Sequence, residues 1–194
     1  MKEAILKGYH GIKRPFRYLN TFIGDAGVAA IHPSSRFLVA RVAKAVEQSR
    51  PRLVVEFGAA EGVMTRRLLK ALPHDGRLVA VERNRDFYDK LAQIRDDRLV
   101  AVSGDAREVR KILKDLGVTA ADCFVSGIPF SFLSPEERTA LLREIHSLLP
   151  AGGRFVAYQC TTHLIPLLRR RFARLKTELE LRNMPPHFVF TAIK

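Results

Sequence analysis

Glu56-Phe57-Gly58-Ala59-Ala60-Glu61-Gly62 is the stretch on which the fold turns. An apolar run, Leu53–Phe57, leads into it, and Met64, Leu68 and Leu72 follow at helical spacing. A strand, a turn of small residues and a helix start are therefore expected in that order. Small residues let a ligand approach the backbone closely, and N–H groups at a helix start favour electron-rich atoms. A small-residue loop alone says little; its surroundings say more.

About twenty residues further on, Val79-Ala80-Val81-Glu82 ends a second apolar run with a carboxylate, where an acid can accept both hydrogen bonds of a ribose diol. Ser103-Gly104-Asp105-Ala106 ends a third run with another acid, placed to accept from an adenine amino group. The candidate strands are Leu53–Phe57, Leu78–Val81, Leu99–Val102, Cys123–Ser126 and Arg154–Tyr158. Between them Phe87, Leu91 and Ile94, and later Leu141, Ile145 and Leu148, recur at helical spacing. Continuous apolar runs read as strands buried on both faces, and the helices between them as right-handed crossovers. Lys176–Leu181 and His187–Ile193 are joined only by Arg182-Asn183-Met184-Pro185-Pro186, too short for a helix, so these two strands must be antiparallel. The expected fold is α/β: a doubly wound, seven-stranded, mostly parallel sheet ending in an antiparallel hairpin. Residues 1–50 read as an N-terminal helical extension and 51–194 as the main domain.

The chain has 194 residues, 47% of them apolar, enough for one substantial core. Lysine and arginine outnumber the acids 33 to 20, a net charge of +13. That excess implies a polyanionic partner, either nucleic acid or an anionic membrane surface. No stretch approaches the roughly 18 apolar residues of a membrane span, and the first residues do not read as a secretory signal. A cytoplasmic protein is expected. Cys123 reads as a buried filler, the six histidines show no metal-binding spacing, and no protein partner is indicated.

Ser34-Ser35 after Pro33 supplies a helix start, with Leu38, Val42 and Ala45 on one face and Arg41, Lys44 and Gln48 on the other. Ahead of it, Arg14, Phe16, Arg17, Tyr18, Leu19, Phe22 and Ile23 mix cations with rings and aliphatics, a composition that suits a membrane interface. Arg169-Arg170-Arg171-Phe172-Ala173-Arg174 is a second basic patch, suited to phosphates or to a solvated helix face.

Together the loop Glu56–Gly62, Glu82, Asp105 and the fourth-strand exit Ser126-Gly127-Ile128-Pro129-Phe130 resemble class I S-adenosylmethionine-dependent methyltransferases. More narrowly, the chain is similar to bacterial phospholipid and ornithine-lipid N-methyltransferases in Ser-Gly-Ile-Pro, in Ile31-His32-Pro33-Ser34-Ser35-Arg36-Phe37-Leu38 and in Asn183-Met184-Pro185-Pro186. The resemblance covers nearly the whole chain. It implies that S-adenosylmethionine is the cofactor, with Glu56, Gly58, Ala60, Gly62, Glu82, Asp105, Ala106 and Ser126 around it. Glu56 and Gly58 would shape the pocket for its methionine part, Glu82 would hold the ribose and Asp105 the adenine amino group.

Ser126, Pro129 and Phe130 would line the place where the methyl group meets a lipid amine. Tyr18, His32 and Ser126 are candidates to take the amine's proton, and Phe130 to face a developing quaternary ammonium. The expected setting is the inner face of the membrane, with the protein peripheral on an anionic surface. Two positions depart from the family: Ala60 stands where glycine is usual, and Glu61 where a small hydroxyl residue is common. These departures leave open a fold that binds a partner without turnover. The other alternative is RNA, because ribosomal RNA adenine methyltransferases share the fold; those carry Asn-Leu-Pro-Tyr or Asn-Leu-Pro-Phe at the fourth-strand exit, whereas this chain has Gly127 at the asparagine position. No appended RNA-binding domain is expected.

Overall fold

The computed structural model describes residues 34–194, and the elements follow one another in a strand–helix rhythm. They are α1 (Arg36–Glu47), β1 (Leu53–Phe57), α2 (Val63–Ala71), β2 (Arg77–Glu82), α3 (Arg85–Leu91), β3 (Leu99–Ser103), α4 (Val109–Asp115), β4 (Cys123–Ser126), α5 (Pro135–Leu148), β5 (Arg154–Gln159), α6 (Leu164–Arg171), β6 (Arg174–Glu180) and β7 (His187–Ile193). Their strands form one seven-stranded sheet in the order β3-β2-β1-β4-β5-β7-β6. The first five run parallel, and β7 is antiparallel to both β5 and β6.

The apolar runs form strands because both sides of the sheet are covered. In β1 every residue after Leu53 is buried, and all of β4 is. On one side α1 and α2 bring Leu38, Val42, Val46, Met64 and Leu68 onto Val54, Val125, Val156 and Val189. On the other, α4, α5 and α6 bring Leu113, Ile145 and Leu168 onto Val55, Phe57, Phe124 and Phe155. Cys123 is a fully buried member of the first layer, and burial pushes its thiol up to about 12. The helices start where short polar side chains can cap them. Ser35 Oγ accepts from Leu38 N–H at 3.2 Å, Asn84 Oδ1 accepts from Phe87 N–H at 3.2 Å, and Ser134 with Glu137 forms a reciprocal capping box at α5.

Of the helices, α4 was not among the sequence expectations, and α6 was foreseen only as the helix face offered as one reading of Arg169–Arg174. Each is short, and each buries only two or three side chains. In α6 the last turn carries Arg169, Arg170 and Arg171, cations placed where the carbonyl end of a helix favours them. The terminal hairpin begins at Arg174, two residues before the expected start. Its second strand, β7, lies between β5 and β6, so β6 becomes the outer edge. That edge carries Arg174, Lys176 and Glu178, charges that discourage pairing with another chain.

The loop after β6 ties the hairpin to α1. Asn183, only 4% exposed, accepts a hydrogen bond from Ser35 N–H at 2.8 Å and donates one to Pro185 O at 2.9 Å. Below it Arg41 on α1 forks onto Glu180 and Glu178, and Arg182 closes on Glu180 from the other side. The two guanidinium groups hold the buried Glu180 carboxyl well below the usual range. Arg41, expected on the outer face of its helix, is thus turned onto the hairpin. Replacing Asn183 with alanine removes the buried amide that joins these segments. Urea unfolding of Asn183→Ala is expected to show a loss of about 1–3 kcal/mol; an unchanged midpoint would show that the tie carries no stability.

Candidate active site

The sheet order reverses at β1, whose neighbours β2 and β4 lead away in opposite directions. The helices that follow β1 and β4 pack on opposite faces of the sheet, and open parallel sheets usually bind their ligands at such a point. Gly58 stands there with φ +71°, and a Cβ on it would stand 2.9 Å from Ile128 Cγ2 of the β4 exit. Gly62, with φ +80°, caps α2, and Ala60 between them has φ +48°. The loop folds back on β2: Gly58 N–H donates to Val81 O at 2.9 Å, and Ala60 N–H to Glu82 Oε2 at 2.8 Å. Glu82 Oε1 accepts from Asn84 N–H at 2.8 Å, so one carboxylate links the first loop to the second.

Glu56 is fully buried at the end of β1. Its Oε2 accepts from the Thr65 hydroxyl of α2 at 2.7 Å, whereas Oε1 has no partner. Burial raises the carboxyl to about 7; Thr65 opposes this and the Glu82 charge adds to it. A buried carboxylate oxygen without a donor is costly, and its place beside a small-residue loop fits a cationic ligand group.

Asp105 stands at the end of β3, as expected, and is already engaged. Its Oδ1 accepts from Arg107 N–H at 2.9 Å and Nε at 3.0 Å, and its Oδ2 from Nη2 at 2.7 Å. The Arg107 guanidinium holds the carboxyl below its ordinary range. Ala106 follows it in a short turn and is buried. At the β4 exit Ser126 pairs in register with Phe57 and Ala157, on the face of the sheet opposite Glu56. Its hydroxyl is buried and has no partner. Pro129 leads into a turn over Phe130–Phe132.

Phe130 is fully buried, edge-on to Phe155 at 6.1 Å between ring centres. Its ring belongs to the core, so the contact expected with an ammonium group is not open to it in this arrangement. Tyr18 and His32 lie outside the described residues. Thr65 was not anticipated; it reaches Glu56 through the packing of α2 on β1, a relation that spacing along the chain does not show.

No family model matches the chain. In fold it is similar to an O-methyltransferase from Bacillus cereus in complex with S-adenosylhomocysteine, at TM-score 0.67 and 14% identity, over 100% of this chain and 96% of that one. The 1,6-didemethyltoxoflavin-N1-methyltransferase of Burkholderia thailandensis also gives TM-score 0.67, at 20% identity over 96% and 92%. In sequence, an ornithine lipid N-methyltransferase from Singulisphaera acidiphila is 30% identical over 179 residues, 88% of this chain and 91% of that protein. The chain belongs to the class I S-adenosylmethionine-dependent methyltransferases.

The two departures in the loop of this methyltransferase have visible compensations. Ala60 occupies the left-handed region, which costs a residue with a Cβ about 1–2 kcal/mol relative to glycine. The hydrogen bond from its N–H to Glu82 helps to hold that conformation. Glu61 forms an ion pair with Lys90 of α3, which draws its carboxylate toward a cation.

Glu56 makes stability depend on pH. A carboxyl whose folded pKa is raised binds its proton more tightly than in the unfolded chain. Its contribution is full below the unfolded value of 4.5 and is lost as pH rises through about 7. Glu56→Gln removes that dependence. Between pH 5 and pH 8 the unfolding free energy of wild type is expected to fall relative to the variant by up to about 3 kcal/mol. Urea titrations at the two pH values measure it, and parallel behaviour would mean that the carboxylate is ionised throughout.

Proposed function

We propose that this enzyme is an N-methyltransferase acting on the amine headgroup of a membrane lipid, of the phosphatidylethanolamine or ornithine-lipid type. The observation that carries the substrate class is Gly127. RNA adenine methyltransferases of this fold use an asparagine at that position to accept from the planar amine of the base. Here a Cβ at position 127 would stand 2.7 Å from Cζ of Tyr158 and closer still to its hydroxyl oxygen, so no asparagine fits without moving the ring. An aliphatic amine does not require that in-plane acceptor. The 30% identical relative named for an ornithine lipid supports the same reading. So do the +13 charge and the run of cations and rings at Arg14–Ile23. Among the described residues no helix is long and apolar enough to cross a membrane. The proposed setting is peripheral, on the inner, anionic face.

When bound, S-adenosylmethionine supplies a methyl group on a sulfonium, an intrinsically good leaving group. Glu56, with one buried oxygen unpaired, would hold the positive amine of its methionine part. Glu82 would receive the ribose hydroxyls and Asp105 the adenine amino group, each carboxylate using lone pairs left beside its present partners. The backbones of Gly58, Ala60 and Gly62 would permit close approach, Ala106 would leave room beside Asp105, and Pro129 would line the acceptor side; Ser126, whose hydroxyl lies on the face opposite Glu56, would contribute its backbone. The residues act by alignment, which in favourable systems supplies up to about 7–11 kcal/mol of the barrier. Tyr18 and His32 remain proposed proton acceptors for the lipid amine.

Incubating the enzyme with radiolabelled S-adenosylmethionine and separate lipid and RNA extracts is expected to place label in the lipid fraction. Label in RNA alone overturns the lipid reading. Glu82→Ala is expected to weaken S-adenosylhomocysteine binding by tenfold or more, about 1.4 kcal/mol, while its circular dichroism stays that of a folded protein. Calorimetry checks this, and wild-type affinity in a folded variant would remove Glu82 from the cofactor site.

A further inference from the structure

Tyr158 lies on β5 and points across the end of β4. Its side chain shares the face of the sheet that carries Val125, Val156 and the α1 layer, the face onto which Glu56 also projects. The hydroxyl fills the space that a side chain at position 127 would need. It is hydrogen-bonded to the side chain of Ser34, just ahead of α1, and lies close enough to Glu56 for that charge to act on it. Ser34 is in turn next to Ser35, whose N–H is held by Asn183. The hairpin, the start of α1 and the β5 end therefore position one phenolic hydroxyl over Gly127 at the β4 exit, and the Gly127 backbone lies against Gly58. Burial keeps that phenol protonated well above neutral pH, so it is a neutral hydrogen-bonding group rather than a base.

We propose that the Tyr158 hydroxyl is the substrate-contacting acceptor of this site, taking the place that Gly127 leaves open and accepting an N–H of the lipid amine. This rests on the amine-methylation reading above. A neutral primary amine has two N–H bonds and one lone pair. Fixing one N–H against Tyr158 Oη turns the lone pair toward the methyl carbon. The N–C bond forms from that lone pair as the C–S bond breaks with its electrons onto sulfur. The positive charge passes to nitrogen, and the extra proton leaves to a proposed acceptor named above or to water before any further transfer. A neutral N,N-dimethyl amine has no N–H, so Tyr158 cannot hold it in this way. The hydroxyl therefore matters for acceptors that still carry an N–H and not for the final methylation.

Tyr158→Phe keeps the ring and removes the oxygen. Wild type and variant are given radiolabelled S-adenosylmethionine with vesicles of total bacterial lipid and, separately, with RNA. The class that takes label tests the lipid reading; the variant's rate relative to wild type, in whichever class labels, tests Tyr158. The expected result is a fall of about tenfold or more in kcat/KM on primary-amine acceptors, the weight of one lost hydrogen bond. S-adenosylhomocysteine affinity is expected to stay within about twofold, and the urea midpoint to fall by no more than loss of the Tyr158–Ser34 hydrogen bond accounts for. A rate within about twofold of wild type overturns the proposal. So does an equal loss on N,N-dimethylated lipid, or a loss matched by weaker S-adenosylhomocysteine binding, since either would give the hydroxyl a merely structural or cofactor-side role.

Discussion

A carboxylate sealed from water at the end of the central strand sets the terms for everything around it. Glu56 is fully buried on β1 between β2 and β4, against Thr65 of α2, and among the described residues one of its oxygens has no hydrogen-bond partner. Burial of that kind is unfavourable for a charge without a donor, and it raises the carboxyl to about 7. The loop geometry follows from the same place. Gly58 must leave room for Ile128, Gly62 must turn into α2 so that Thr65 faces Glu56, and Ala60 must present its N–H to Glu82.

The sheet was legible in the sequence because its strands are covered on both faces. Leu53–Phe57, Cys123–Ser126 and His187–Ile193 have the expected limits, since a buried strand must be apolar throughout and its ends show as polar residues. Short covering helices were less legible. α6 buries only two side chains in eight residues, too few for its periodicity to stand out. The acids at the ends of β2 and β3 lie where their spacing placed them, yet Asp105 is occupied by Arg107, which spacing could not reveal.

What escaped the sequence altogether depends on contacts across the fold. Tyr158 reads as one more apolar position in a buried strand. Its relation to Gly127 exists only because β4 and β5 pair in a register that sets Ser126 beside Ala157. Likewise Asn183 and Ser35 resemble the same family separately, while the hydrogen bond between them appears only once the hairpin is folded. The loop departures also make sense only in three dimensions: the Glu61 charge that looks misplaced along the chain has Lys90 beside it.

The place of β7 has a consequence for biosynthesis. It is translated after β6 yet inserts between β5 and β6, and its backbone pairs with both. While the ribosome is still making residues 181–193, β6 has no strand to bond to, and the edge of β5 stands open. The Asn183 tie to α1 must also wait. The nascent chain can pair its parallel strands early, but the tie from Asn183 to the start of α1, next to the Ser34–Tyr158 hydrogen bond, forms only when the hairpin reaches the sheet. An apolar strand edge is exposed in the interval, which makes this the stage at which the protein is most open to mispairing and to chaperones.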